Sequence, residues 1–247
     1  MIIKEINYKE FKIHYFNTKE LELGKKIIDK KYKLVRVFKN TKRNYVALIS
    51  IDGEYYVLKE PRNEFRLIQR KIMTFFKDGE AVTTLKNIRN HIEKYDIVEY
   101  VTPYVAITKR NLGFINYSGL LMEYCNGEAV GEYYDEVSDR YKKNKVVEIM
   151  IRIHEFGLYH GDMNAYNFNL VDDAVRILDT QGKKMCLGNY RAHYDMLTFK
   201  IENFPQMKYP YKKNLFFYLA LEMKKMKKFK IIRWIKAKKK RRRNRKK

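Results

Sequence analysis

The sequence predicts an α+β protein in two parts, a small antiparallel-β first part and a helical second part. Three observations carry that expectation. Residues 33–58 hold three β-rich runs separated by turn signals. Residues 133–156 hold a helical apolar stripe. The change of character falls at Cys125-Asn126-Gly127. At 247 residues, with 45% hydrophobic and 15% aromatic composition, the chain can bury a sizeable core and lacks the composition of a disordered one.

Taken in order, "KLVRVF" reads as a strand, "KNTKRN" as a polar turn and "YVALISI" as a second strand. Asp52-Gly53 is a hairpin turn, and "EYYVLK" is a third strand ending on Lys59. Residues 63–90 read as helical, with Phe65, Ile68, Ile72 and Phe75 on one face. Gly79 breaks this stretch, and the helix after it carries Ala81, Leu85 and Ile88 on one side. "YVAITK" and "GLLMEY" are two more strands. The helix over 133–156 sets Val146, Met150 and Ile153 in a stripe. "VRILDTQGKK" is a short strand pair around a turn, and 189–236 is mostly helical. The expected divisions are 1–124, 125–213 and a basic amphipathic segment, 214–247.

Net charge is +24, and sixteen of the cations lie between Lys224 and Lys247 with no acid among them. Removing those sixteen leaves +8 on residues 1–223, so the body is mildly basic and the tail strongly so. Such a tail seeks polyanions: lipid headgroups, nucleic acid or a phosphorylated polymer. The segment from Asn214 begins as an amphipathic helix with Phe216, Leu219, Met223 and Met226 on one face. Farther on, Ile231, Ile232, Trp234 and Ile235 spread around it, and Trp234 among cations suits a membrane interface. Two cysteines, Cys125 and Cys186, make neither a disulfide framework nor a metal pair. The N-terminus has no apolar signal region, and no apolar run approaches the ~20 residues of a membrane span.

The stretch "YHGDMNAYNFNL" carries the chemistry. Phosphoryl transfer needs a carboxylate to take the attacking hydroxyl's proton, oxygen-bearing side chains for Mg²⁺, and a cation on the nucleotide phosphates. Protein kinases place the first acid and an Asn on one loop as H-x-D-x-x-x-x-N. A metal-binding Asp follows on the next strand turn, and a Lys lies on the third strand of the small lobe. His160-Gly161-Asp162 with Asn167 fits the loop spacing, Asp179 ends "VRILD", and Lys59 ends "YYVLK". "LLMEYCNG" stands where the strand between lobes would be, with the backbone of Glu123 to Cys125 facing an adenine. The ordered set is far more specific than any one member.

With "YVLKEP", "LMEYCNGE", "IHEFGLYHGDMNAYNF", "VRILDTQGKK" and the Lys/Arg-rich C-terminal segment, the chain resembles the bacterial lipopolysaccharide core heptose(II) kinases, within the protein-kinase-like superfamily. The resemblance covers nearly the whole chain. It implies a two-lobed protein-kinase-like fold with a small antiparallel-β N-lobe, a reduced helical C-lobe and a basic C-terminal helix. It also implies ATP and Mg²⁺ as cofactors, and a heptose hydroxyl of the lipopolysaccharide core as acceptor. Carried over by position, Asp162 is the catalytic base, Asn167 and Asp179 hold Mg²⁺, and Lys59 meets the nucleotide phosphates. Glu80, 21 residues beyond Lys59, is the expected partner of that lysine; Glu64, five residues on, lies too close to the strand end to reach back. The expected location is the cytoplasmic face of the inner membrane, held by the tail.

Three departures stand out. The turn 39–44 has no glycine to let backbone amides approach phosphates, which leaves Lys42 or Arg43 to supply charge. The metal turn reads Asp179-Thr180-Gln181-Gly182, and Gly161 replaces the usual Arg. His160 reads as a structural hydrogen-bonding residue, and Asp195 and His193 as helix-surface residues, with contact to the substrate as the alternative reading. Other readings are a small atypical protein or small-molecule kinase, and a non-catalytic kinase-like module that binds nucleic acid through its tail. The sequence carries no signal for oligomeric state.

Overall fold

In the computed structural model, residues 2–228 are described. Residues 229–247, with Ile231, Ile232, Trp234, Ile235 and most of the basic tail, lie outside them. The chain forms two compact units, Met1–Glu128 with Asn169–Gly182, and Ala129–Phe168 with Lys183–Lys247.

The first unit is built on a seven-stranded sheet. Its strands are β1 (Lys4–Tyr8), β2 (Phe11–Tyr15), β3 (Lys33–Asn40), β4 (Tyr45–Ile51), β5 (Glu54–Glu60), β6 (Pro103–Asn111) and β7 (Phe114–Glu123). They lie in the order β1-β2-β6-β7-β5-β4-β3, and every pairing is antiparallel. The β4–β5 hairpin turns at Asp52-Gly53, both with positive φ, as a tight two-residue turn demands. Alternation along the strands sorts side chains to two faces. Ile49 and Leu58, with Val105 and Leu121, pack on one face with Leu23 and Ile27 of α1 (Thr18–Ile28). Ala106 and Leu120 pack on the other with Ala81, Val82 and Leu85 of α4 (Glu80–Tyr95). The two helices are tied by Arg89 and the buried Glu20, paired at 2.9 Å.

Between β5 and α4 run α2 (Asn63–Arg66) and α3 (Ile68–Phe76). The apolar face anticipated there is turned outward: Ile68, Ile72 and Phe75 are exposed, and Thr74 is the buried residue of α3. After β8 (Glu128–Ala129) the chain leaves this unit, and a hairpin of β10 (Phe168–Val171) and β11 (Ala174–Ile177) returns to it. Ile177 N–H donates to Glu99 O at 2.7 Å, and Val101 N–H to Ile177 O at 3.2 Å.

The second unit contains α5 (Glu136–Glu155), the short strands β9 (Leu158–Tyr159) and β12 (Lys183–Lys184), α6 (Tyr190–Glu202) and α7 (Leu215–Lys228). Asp135 caps α5 by accepting Ser138 N–H at 2.9 Å, and Val146, Met150 and Ile153 are buried as the stripe predicts. The expectation that 189–236 is mostly helical holds over the described residues, with α6 and α7 separated by the non-helical residues 203–214. Phe217 and Ala220 of α7 pack on Leu197 of α6. Leu219, Met223 and Met226 of α7 are exposed, so most of its predicted apolar face points to solvent. Lys224, counted with the tail, is buried, pairs with Glu202 at 2.8 Å and lies over the Tyr194 ring.

Candidate active site

In the first unit, strand alternation decides where Lys59 goes. Tyr56 and Leu58 enter the α1-side core, so Lys59 emerges on the α4 face. There its Nζ lies 3.5 Å from Glu80 Oε1 and hydrogen-bonds the Asp179 carboxylate. The lysine side chain is 17% exposed and that of Asp179 50%, so the ammonium is withdrawn while the carboxylate faces water. Burial alone would lower the Lys59 pKa, but the Asp179 and Glu80 carboxylates outweigh it and hold the pKa above its ordinary value.

Glu64 does a different job. Its Oε1 accepts the Glu80 N–H, which caps the first turn of α4. Gly79 makes room for this: a Cβ there would lie 2.7 Å from Ile115 Cδ1 and 3.0 Å from Glu64 Oε2. Burial and the nearby Glu80 carboxylate push the Glu64 pKa up to about 7, against the lowering effect of the Glu80 N–H.

The turn after β11 is docked on the same helix. Asn87 Nδ2 donates to Gln181 O at 2.9 Å, and Gly182 lies so close that a Cβ would come within 2.9 Å of Ile88 Cδ1 and His91 Nδ1. Asp179 itself has φ +50°, a left-handed conformation unusual for a residue with a side chain and typical of functional turns. Lys59 of β5, Glu80 of α4 and Asp179 of the turn after β11 thus meet in one cluster.

The remaining first-unit candidates are placed as follows. Glu123 N–H donates to Thr102 O at 2.8 Å, so this amide is already committed. The Glu123 carboxylate accepts from Arg176 at 2.5 Å and from Thr102 N–H at 3.0 Å. Cys125 O accepts from Asn169 Nδ2 at 3.4 Å, and burial raises the thiol's pKa. The glycine-free turn between β3 and β4 closes on itself. Thr41 Oγ1 accepts the N–H groups of Arg43 and Asn44 at 3.2 and 3.1 Å, so those amides are not presented to an anion.

In the second unit the 160–168 loop is fixed from below. Met163, Ala165 and Phe168 are buried while Asp162 is exposed. Asp162 O accepts from Asn164 N–H and Asn167 Nδ2, each at 2.8 Å. The Asn167 amide nitrogen is thus committed to the loop backbone. His160 is structural: its ring packs on Phe168 at 5.1 Å between centroids, and its Nδ1 accepts Asp162 N–H at 3.3 Å. Gly161 has φ +88°, a conformation glycine adopts freely and arginine does not.

The helix-surface reading of Asp195 and His193 is overturned. Asp195 is 1% exposed and His193 fully buried. Asp195 accepts the N–H of His160 at 2.7 Å and of Gly161 at 3.1 Å, so it anchors the loop that bears Asp162. His193 Nδ1 meets Tyr209 Oη at 2.7 Å. The available signal was helical spacing: Asp195 falls among Ala192, Met196 and Phe199, all buried.

Comparison with known proteins follows this geometry. Residues 1–238 match the model of the family described as lipopolysaccharide core biosynthesis protein (WaaY). Lipopolysaccharide core heptose(II) kinase WaaY of Escherichia coli K12 is 24% identical over 168 residues, 68% of this chain and 71% of that protein. A second E. coli heptose(II) kinase WaaY is 23% identical over 193 residues, 77% of this chain and 82% of its own length. Among solved structures, the Rio2 kinase–ADP/Mg²⁺–phosphoaspartate complex from Chaetomium thermophilum aligns with TM-score 0.53 at 14% identity, covering 88% of this chain and 70% of that one. That likeness supports the kinase-like α+β fold. The antiparallel sheet carrying Lys59, the loop carrying Asp162 and a family match over nearly the whole chain lead to one conclusion: the protein belongs to the WaaY lipopolysaccharide core biosynthesis family and is a phosphotransferase.

Proposed function

We propose that the protein transfers the γ-phosphoryl group of ATP to a hydroxyl of a heptose in the lipopolysaccharide inner core. The observation that carries the reading is the Lys59–Glu80–Asp179 cluster, in a chain whose family relatives are named heptose(II) kinases. Lys59 binds the nucleotide phosphates, and Glu80 holds the lysine in position. The purine lies against the backbone of residues 123–125, with Glu123 N–H excluded because Thr102 already takes it. Because the β3–β4 turn keeps its amides to itself, side-chain charge replaces the backbone cradle there.

Asp162 orients the acceptor hydroxyl and takes its proton as the new oxygen–phosphorus bond forms and the bond to the departing ADP breaks. The products are ADP and a sugar phosphate monoester. For Mg²⁺, the residues fit: Asp179 offers a half-exposed carboxylate and Asn167 its Oδ1, both hard oxygen ligands. When bound, Mg²⁺ neutralises charge building on the transferring group.

The location we propose is the cytoplasmic face of the inner membrane, where a lipid-linked acceptor is presented. Among the described residues no helix is long and apolar enough to cross a membrane. The exposed Leu219, Met223 and Met226 of α7, with the cations that follow in sequence, support surface attachment.

The test is mass spectrometry of core oligosaccharide after incubation of purified protein with ATP, Mg²⁺ and dephosphorylated core acceptor. Gain of one phosphate on heptose is expected, and Asp162→Ala should lose it while keeping nucleotide-induced thermal stabilisation. Phosphate on protein extract but not on the core would refute the acceptor assignment.

A further inference from the structure

Helix α3 is built inside out. An amphipathic helix on a globular unit normally turns its apolar stripe to the core. α3 turns Thr74 inward instead. Thr74 is 4% exposed, its hydroxyl donates to Lys71 O at 2.6 Å, and its Oγ1 accepts Ile115 N–H at 3.1 Å. Arg110 clamps the end of the helix, donating from Nη1 to Thr74 O and Gly113 O, both at 2.7 Å, and from Nη2 to Lys77 O at 3.2 Å. The stripe on the far side stands in solvent, with Ile68 77% and Phe76 75% exposed.

A neighbouring turn adds to it. Leu112 and Gly113 join β6 to β7, both with positive φ, and Leu112 is 85% exposed. Leucine in a left-handed turn bears a steric cost that glycine or asparagine would avoid. Gly113 abuts the helix, since a Cβ there would fall 2.6 Å from Phe75 Cε2, and Phe75 packs on Phe114 at 5.4 Å between centroids. Helix and turn therefore make one projecting apolar surface. Its charged neighbours in sequence are mainly cationic: Arg66, Arg70, Lys71 and Lys77 lie between two acids that are already engaged, Glu64 on the Glu80 N–H and Asp78 with Lys86 at 2.6 Å.

We propose that this surface docks on an anionic lipid bilayer, with Ile68, Ile72, Phe76 and Leu112 entering the headgroup–acyl boundary and the four cations among the lipid phosphates. Apolar knobs ringed by cations are the chemistry of an interfacial helix. Charge argues against the other occupants. Residues 229–247 of the chain hold no acid, and a second copy would set one basic rim against another. The element is separate from the C-terminal tail and gives the nucleotide-binding unit its own lipid contact.

The full-length chain supplies the test. Trp234 is its one tryptophan, so Trp234→Phe combined with Phe76→Trp puts a single reporter on α3. Vesicles of equal parts phosphatidylethanolamine and phosphatidylglycerol should shift its emission to the blue and allow quenching by brominated acyl chains, while phosphatidylcholine vesicles should not. Arg70→Gln and Lys71→Gln in the same background should each weaken partitioning of the reporter roughly five-fold. An unshifted reporter on vesicles that nonetheless sediment the protein would overturn the proposal, because the tail alone would then be bound. A blue-shifted reporter before vesicles are added would overturn it too, in favour of a second copy if the shift depends on concentration and of the tail if it does not. The vesicles contain neither nucleotide nor sugar, so the outcome is independent of the acceptor assigned above.

Discussion

Glu64→Gln should stabilise the protein at alkaline pH and hardly at all in acid. The Glu64 carboxyl sits against Gly79 and the first turn of α4, and its pKa is pushed from 4.5 to about 7. The folded state therefore holds this proton more tightly than the unfolded state does. Stability from this group is greatest below pH 4.5, falls as pH rises, and is fully lost above about 7. At about 1.4 kcal/mol per tenfold change in proton affinity, ionising it in the folded protein costs about 3 kcal/mol. Glutamine keeps the Oε1 that accepts Glu80 N–H and removes the charge. Urea unfolding at about pH 8.5 should then show a gain approaching 3 kcal/mol, shrinking below about 1 kcal/mol at about pH 5. By melting temperature the alkaline gain is roughly 6–12 °C for a chain of this size. An equal gain at both pH values would show that removal of charge is not its source, and a loss at the alkaline one would show that the carboxylate is ionised and useful where it sits; either result refutes the reasoning.

Three further outcomes are expected. Lys59→Ala removes the cation between Glu80 and Asp179, so the melting-temperature rise on adding ATP and Mg²⁺ should disappear and turnover should fall by about 10²–10³-fold, read by coupled ADP release. Asp195→Ala deprives the buried His160 N–H and the part-buried Gly161 N–H of their acceptor; each charge-assisted bond is worth roughly 1.5–3 kcal/mol, so calorimetry should record a loss of about that size or more. Gly161→Ala forces a side chain into φ +88° and should destabilise the Asp162 loop by roughly 1–2 kcal/mol, with a fall in kcat exceeding any change in the KM for ATP.

Much of the architecture is legible in the sequence where one period dominates. The β4–β5 hairpin is marked by Asp-Gly between alternating runs, and α4 and α5 by stripes that are buried as their spacing requires. The opening elements are not legible in this way. β1 and β2 interleave charges with apolar residues, and α1 carries Gly24, whose absent Cβ lets it sit against Ile13 at a separation no other residue would permit. Periodicity finds a face but not its direction: the stripes of α3 and of α7 are real, and both point mainly to water. In the candidate site, Lys59, Asp162, Asn167 and Asp179 are recognisable by spacing. Spacing marks Asp195 as a buried helix position but not its role, because its partners are backbone amides 34 and 35 positions away. Glu64 is likewise hidden, since its role depends on the space that Gly79 leaves.

The return of residues 169–182 to the first unit has a consequence for synthesis. The backbone bonds of Glu99 and Val101 wait for Ile177, and α4 waits for Gly182, so a ribosome must deliver the 40 residues from 129 to 168 before the sheet unit is complete. At roughly 5–20 residues per second that is an interval of seconds. Nascent chains stalled near position 130 should therefore be protease-sensitive, and those stalled late enough to release position 182 from the exit tunnel should resist digestion.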